Sequence, residues 1–507
     1  MPKKDCSRLS NNVLKHKIAP SIIQFVLLKN VVQFCAIFAG ISALIVIAIA
    51  DFRPSFQLEY CLQTLLAVLM VLALVTNIRQ DLLTPLNFII VLFILIFFVG
   101  VAFERQEERF ESSPYVVKAF SLVITSFIAF WIGYLTPIFD KLIHKLPKFE
   151  RKLNQRRIDR LLPLQIISAI VLLGLYIYLV GGLDYLRNLY TSRIELARGK
   201  QYIVWGISWY LVYIVFWYAY KTIQYKKLNA IFKLRAGILV LLGILFTVLI
   251  GSRLIFIIFV LSLLICGNYT FKRISLWRGL IFLSAAGFVA VSYQLYRFYT
   301  ASLLTKENII AYLTSAKSMM YYLAAEFALL NDLALAVKIW STHYLPMNGL
   351  SYLSVFILPI PRFLWAGKPD LAISTLVNVY LFGSEQAVNM GGTTVTAVGE
   401  GYVNFGILGV CVNFFLLGIA SRIMYKYVRK HTNNPVIVPL YAFFLAFLYF
   451  SIRSEISLAF VDFMQKVIPL LLIYKVVTTK RVSVVQFGDN LPSSTFVSLP
   501  RGTQLNT

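Results

Sequence analysis

The sequence predicts an all-α, polytopic membrane protein with about 12 transmembrane helices, on three observations. Hydrophobic residues make up 59% of the 507 and charged residues only 14%, a balance outside the soluble globular range. Stretches of roughly 20 apolar residues, the length that spans the hydrocarbon core as a helix, recur along the chain. The short loops between them sort by charge, with the crowded basic loops falling on one side.

The expected spans fall at 31–50, 58–76, 85–103, 115–137, 162–181, 202–220, 235–251, 254–271, 279–296, 402–421, 434–452 and 457–475. Residues 1–20 carry Lys3, Lys4, Arg8, Lys15 and Lys17 with no cleavable signal pattern, and are expected to be a cytoplasmic tail. An even number of spans then returns the carboxyl terminus to the same side. Residues 21–296 hold the first nine spans, 297–401 a large outer loop, 402–477 the last three spans, and 478–507 a cytoplasmic tail expected to be disordered. Basic residues crowd the loops placed inside, such as 138–161 with Lys141, Lys145, Lys148, Arg151, Lys152, Arg156, Arg157 and Arg160. The loops at 221–235, 268–278 and 422–433 repeat this, while the outer segment 104–114 is net acidic.

This dispersal among cytoplasmic loops explains the net charge of +26 as topology and anionic-lipid contact, and no nucleic-acid partner is expected. Four of the five cysteines fall in spans and one in the amino-terminal tail, so no disulfide framework or metal spacing is present. Walker, HExxH and GxSxG motifs are absent.

The outer loop, at roughly 100 residues, is too long for a connector and is where an active site facing away from the cytoplasm would be built. Its apolar stretches 319–330 and 350–361 are too short or interrupted to span, and are expected to lie on the membrane or over the bundle. Arginine is costly near a bilayer core, and its planar donors suit a phosphate or pyrophosphate. Arg193, Arg198, Arg253, Arg362 and Arg453, with Lys368, are the candidate pyrophosphate-binding residues. Arg253, at a tight hairpin tip, is expected to be the most sensitive. For any one of them the alternative is a snorkelling anchor, and Arg187 fits that best. Glu400 is the candidate general base, with Asp332, Glu326 and His343 as fallbacks. Glu400 has the alternative of capping span ten or pairing with an Arg, and His343 of being solvated or hydrogen-bonded. Tyr402, Trp365 and Tyr344 are candidate sugar-stacking aromatics. The glycines of 391–409 serve either a ligand or helix packing.

The ordered set GGLDYLRNLYTSR, GSR at a hairpin tip, PRFLWAGKP, VGEGYVNFGILG and a late IRSE resembles the oligosaccharide repeat-unit polymerases, the Wzy-type O-antigen and capsular polysaccharide polymerases. It covers about 180 to 455 in matching order. The resemblance implies a bacterial inner-membrane enzyme with a GT-C-like fold and its active site facing the periplasm. It would use undecaprenyl-pyrophosphate-linked oligosaccharides as donor and acceptor, with membrane lipid, a chain-length regulator and a flippase as further partners. The chain departs from relatives with an Arg and a Gly ten residues apart in two outer loops, since Arg193, Arg198, Arg253 and Arg362 have no Gly ten residues on. The first outer loop, Asp51 to Glu59, lacks an adjacent carboxylate pair, so metal-independent glycosyl transfer with no cofactor is expected. An O-antigen ligase or related lipid-to-acceptor glycosyltransferase is the alternative, for which His343 is the candidate residue. A lipid-linked oligosaccharide flippase or transporter is the second. The spans carry little charge at mid-depth apart from Asp462 and Lys466, which argues against transport.

Overall fold

The computed structural model describes residues 56–77, 81, 83–106, 113–182, 200–225, 230–271, 273, 288, 292, 315, 327–362, 364–383 and 393–478. Among these, nine helices are long and apolar enough to cross a membrane. They belong to α1 (Phe56–Asn77); α2 (Pro85–Ile94), continued through a π-helical turn into α3 (Val101–Gln106); α4 (Pro114–Leu135); and α5 (Gln155–Val180). The rest are α6 (Gln201–Gln224), α7 (Ala230–Ile250), α8 (Arg253–Thr270), α12 (Ala397–Lys430) and α14 (Ile456–Val477). The shorter α13 (Ile437–Arg453) is equally apolar and almost wholly buried. Ten expected spans therefore coincide with helices; that at 31–50 lies outside the described residues, as does that at 279–296 except for residues 288 and 292.

Local chemistry sets many of the boundaries. Thr84, Ser113, Asn154, Ser252 and Thr396 each accept from a backbone N–H in the first turn of the following helix, and prolines open α2 and α4. Glycines set the closest packing. A Cβ on Gly418 of α12 would lie 2.2 Å from the Phe130 carbonyl oxygen of α4, and one on Gly133 of α4 would lie 2.2 Å from that of Phe415. These helices meet backbone to backbone, where dispersion rather than the hydrophobic effect holds transmembrane helices together.

The basic loops gather at one end of the bundle. Arg422 binds Asp140 through Nε at 2.8 Å and Nη2 at 3.0 Å, and Lys426 pairs with the same carboxylate. Arg157 donates to two carbonyls at the end of α14, Val476 at 3.1 Å and its C-cap Thr478 at 2.9 Å. Lys221 pairs with Asp159 and Arg273 with Asp81.

The expected outer loop caps the opposite end, and much of its described part is helical: α9 (Leu330–Thr342), α10 (Ser354–Ile357) and α11 (Ile373–Phe382). The stretch at 350–361 forms a 3-10 turn and α10, seated on the bundle through buried Ser351 and Ser354. Residues 319–326 lie outside the described residues, and helix begins at Leu330. The tenth expected span starts earlier than expected, at Ala397, and α12 breaks at Phe405 and Gly406. Gly406 has φ 63° and ψ −146°, a conformation open to glycine alone, and beyond it the chain folds back until Gly401 touches Gly409. The glycines of VGEGYVNFGILG thus make a kink and a close crossing.

Gly418→Leu is expected to destabilise the protein by about 1–3 kcal/mol or more, because a backbone carbonyl cannot yield to the added carbons. Gly174→Leu, where nothing lies within 4 Å, is expected to be neutral. Thermal unfolding of both variants in detergent checks the contrast.

Candidate functional site

Four carboxylates organise the capped end. Glu104 Oε1 accepts from the Asn331 N–H at the start of α9, at 3.2 Å, and Asp332 Oδ2 accepts from the Thr394 N–H just before α12, at 3.0 Å. Glu400 Oε1 accepts from the Ser351 hydroxyl at 2.9 Å, and its Oε2 from the Ser457 N–H in the first turn of α14 at 3.1 Å. Glu455 accepts from the Ile373 and Ser374 N–H groups that open α11, at 3.0 and 2.8 Å. Carboxyl oxygens thus meet donors otherwise left open at three helix starts, and one in the approach to α12. Asn404 completes the lattice by donating to Ser351 and accepting from the Gly349 N–H.

Burial raises Asp332 above the usual carboxylate range, opposed by its hydrogen bond from Thr394. Burial, and secondarily the Glu400 carboxylate, push Glu455 up to about 8.

Beside this lattice, a cavity of about 660 Å³ opens in the capped half of the bundle, within the usual size of small-molecule sites. The starts of α6, α8 and α14, the ends of α5 and α13, and the 358–368 loop enclose it. Its walls are largely aliphatic and aromatic. Two cations come from the loop, Arg362, which is exposed, and Lys368, which is half-buried. Lys368 Nζ donates to the Leu358 and Ile360 carbonyls at 3.0 Å each, and Arg362 Nη1 donates to the Lys368 carbonyl at 3.4 Å. Asp370 lies 3.9 Å from Arg362. Burial and then the Arg362 charge lower Lys368, with Asp370 opposing. On α14 the wall carries Asp462, Gln465 and Lys466, with Lys466 Nζ 2.5 Å from Asp462 Oδ1.

The candidate residues divide accordingly. Arg362 and Lys368 come together at the cavity. Arg253 opens α8, and the residues flanking it, Ser252 and Leu254, line the cavity, whereas Arg253 itself does not. Arg453 lies off the cavity, with Nη1 3.5 Å from the Tyr449 hydroxyl. Arg187, Arg193, Arg198 and Glu326 lie outside the described residues.

Glu400 is fully buried, away from the cavity wall, with both oxygens engaged by protein donors. Glu400 caps α14 rather than span ten, whose own N-cap is Thr396. Asp332 instead holds the segment that leads into α12, through the Thr394 N–H. His343 ends α9 with its ring 5.1 Å from that of Tyr380, which also neighbours Tyr344. The sugar-stacking trio is divided. Trp365 is in the cavity loop, Tyr344 packs on Trp340, and Tyr402 shares a hydrogen bond with Ser341 beneath the Lys118 ammonium. Asp462 and Lys466, which the sequence presents as mid-span charges without a site role, stand on the cavity wall. Their spacing of four on an apolar helix was the available signal, because it puts both on one face.

No family model, curated protein or solved structure matches this chain.

Glu455 gives a test of the lattice. A carboxyl that ionises near its ordinary 4.5 when unfolded but only near 8 when folded leaves the unfolded state binding fewer protons between those values. Its contribution to stability therefore falls as pH rises from about 4.5 to about 8 and is level above. Melting temperatures of the purified protein across pH 5–8 should decline, and Glu455→Gln should flatten that slope.

Proposed function

We propose that the protein is a polysaccharide polymerase. On this reading it joins undecaprenyl-pyrophosphate-linked oligosaccharide repeat units at the outer face of a bacterial inner membrane, with lipid pyrophosphate as the leaving group. The cavity carries the reading: an apolar chamber among membrane-crossing helices, provided with Arg362 and Lys368 at the capped end. A doubly anionic headgroup beside low-dielectric surroundings needs directed cationic donors, and a guanidinium and an ammonium supply them. Their fixed charge stabilises the charge that develops on the departing pyrophosphate. The volume suits the headgroup and first sugars of one lipid-linked unit, and the prenyl tail runs out between the helices. The ordered motifs resembling Wzy-type polymerases support the same reading, as does the gathering of basic loops at the far end, and on this reading the cavity faces away from the cytoplasm.

The Asp462–Lys466 pair favours a second reading, a lipid-linked oligosaccharide flippase, since an ion pair inside a membrane cavity is a usual mark of a transport path. Deletion of the gene separates the two. Polymerase loss leaves single repeat units at the cell surface, whereas flippase loss removes the glycan altogether.

Arg362→Ala and Lys368→Ala are each expected to weaken undecaprenyl pyrophosphate binding about 10- to 100-fold, the equivalent of one charge-assisted hydrogen bond, and to shorten the polymer. Unchanged affinity in both variants would remove the assignment.

A further inference from the structure

The polymerase reading requires a base for the attacking sugar hydroxyl, and the cavity points to one that the motifs do not. Among the described residues that line it, Asp462 is the one carboxylate, and no histidine is present. Glu400 is engaged as a helix cap and Asp332 by the Thr394 N–H, and neither reaches the cavity wall. His343 is occupied against Tyr380 and is likewise absent from the wall.

Asp462 is held as a working carboxylate would be. Its Oδ1 accepts from Lys466 one turn on, and its side chain keeps about 20% of its surface exposed. Among the described residues no protein donor reaches Oδ2, which leaves that oxygen to a ligand. Lys466 also donates to the Asp462 carbonyl at 3.2 Å, so one ammonium fixes both backbone and carboxylate. Gln465, on the same wall, adds a donor and an acceptor suited to further hydroxyls. Asp462 lies six residues into α14, about 9 Å along its axis from Ile456, and Lys466 about 15 Å. A buried ion pair is weak as a stabilising device and costly to keep in an apolar helix, so its place on a cavity wall calls for a ligand.

We propose that Asp462 is the general base of the glycosyl transfer, oriented by Lys466, and that Gln465 helps to seat the acceptor sugar. This rests on the polymerase reading. The acceptor hydroxyl passes its proton to Asp462 Oδ2 as its oxygen forms a bond to the anomeric carbon of the donor. The bond from that carbon to the pyrophosphate oxygen breaks. Its electron pair leaves with undecaprenyl pyrophosphate, whose charge Arg362 and Lys368 meet. The products are one lengthened lipid-linked chain and undecaprenyl pyrophosphate, and the proton is released from Asp462 before the next cycle.

The test uses the full-length protein in nanodiscs with synthetic undecaprenyl-pyrophosphate-linked repeat units, comparing Asp462→Asn, Lys466→Met and the double variant. Asp462→Asn should lower kcat by about 10²- to 10⁴-fold, the usual range for a lost general base, with undecaprenyl pyrophosphate affinity unchanged. The double variant leaves no uncompensated buried charge, so a structural ion pair predicts its recovery and a base predicts that it stays inactive. Turnover by the double variant within a few-fold of wild type would overturn the proposal, as would loss of undecaprenyl pyrophosphate binding in step with kcat. Wild-type protein that moves lipid-linked units across a vesicle bilayer without lengthening them would instead overturn the polymerase reading on which it rests.

Discussion

Helix ends beneath the cap have little water to satisfy their backbone N–H groups, and carboxylates take that place. Glu104 meets the start of α9, Asp332 the approach to α12, Glu400 the start of α14 and Glu455 the start of α11. Each comes from a different element than the one it caps, so each bond joins two parts of the chain as well as satisfying a donor. An unmade hydrogen bond at such a site costs about 1–3 kcal/mol, more for a charged group, so the four together hold the cap against the bundle.

The cavity depends on this lattice. Glu400 fixes the first turn of α14 through Ser457, and Glu455, one residue before that helix, is fixed to α11. The start of α14 is thereby held in place and in rotation, and Asp462 and Lys466 follow from its helical register. The 358–368 loop is fixed by other means. Lys368 binds two of the loop's carbonyls, and the Tyr202 hydroxyl of α6 reaches the Pro359 carbonyl at 3.4 Å. The two polar faces of the cavity are tied through Glu400, which binds Ser351, just ahead of α10 and the loop, as well as Ser457 of α14.

The spans were legible in the sequence because hydrocarbon thickness fixes their length, and the gathering of basic loops because charge bias marks one side. Arg362 and Lys368 were legible too, being six residues apart in one turn-rich segment. Glu400 drew notice as a carboxylate among glycines, but its partner Ser457 is 57 residues away, and no local pattern announces such a bond. The break in α12 was hidden for a similar reason. Gly399, Gly401, Gly406 and Gly409 fit helix packing as well as bending, and only the chain folding back separates the two. Arg253 drew attention by its tight turn, yet the turn brings its neighbours Ser252 and Leu254 to the cavity wall instead. Asp462 and Lys466 were visible as charges, but nothing in the sequence places the mouth of a cavity beside them.

The most direct measurement is a cryo-electron microscopy structure of the full-length protein in nanodiscs with undecaprenyl pyrophosphate. The two phosphates should lie within hydrogen-bond distance of Arg362 and Lys368, with the tail leaving between helices of the cavity wall. Phosphate density at another site, with the 660 Å³ cavity unfilled, would contradict the assignment of this chamber as the place where the lipid-linked unit binds.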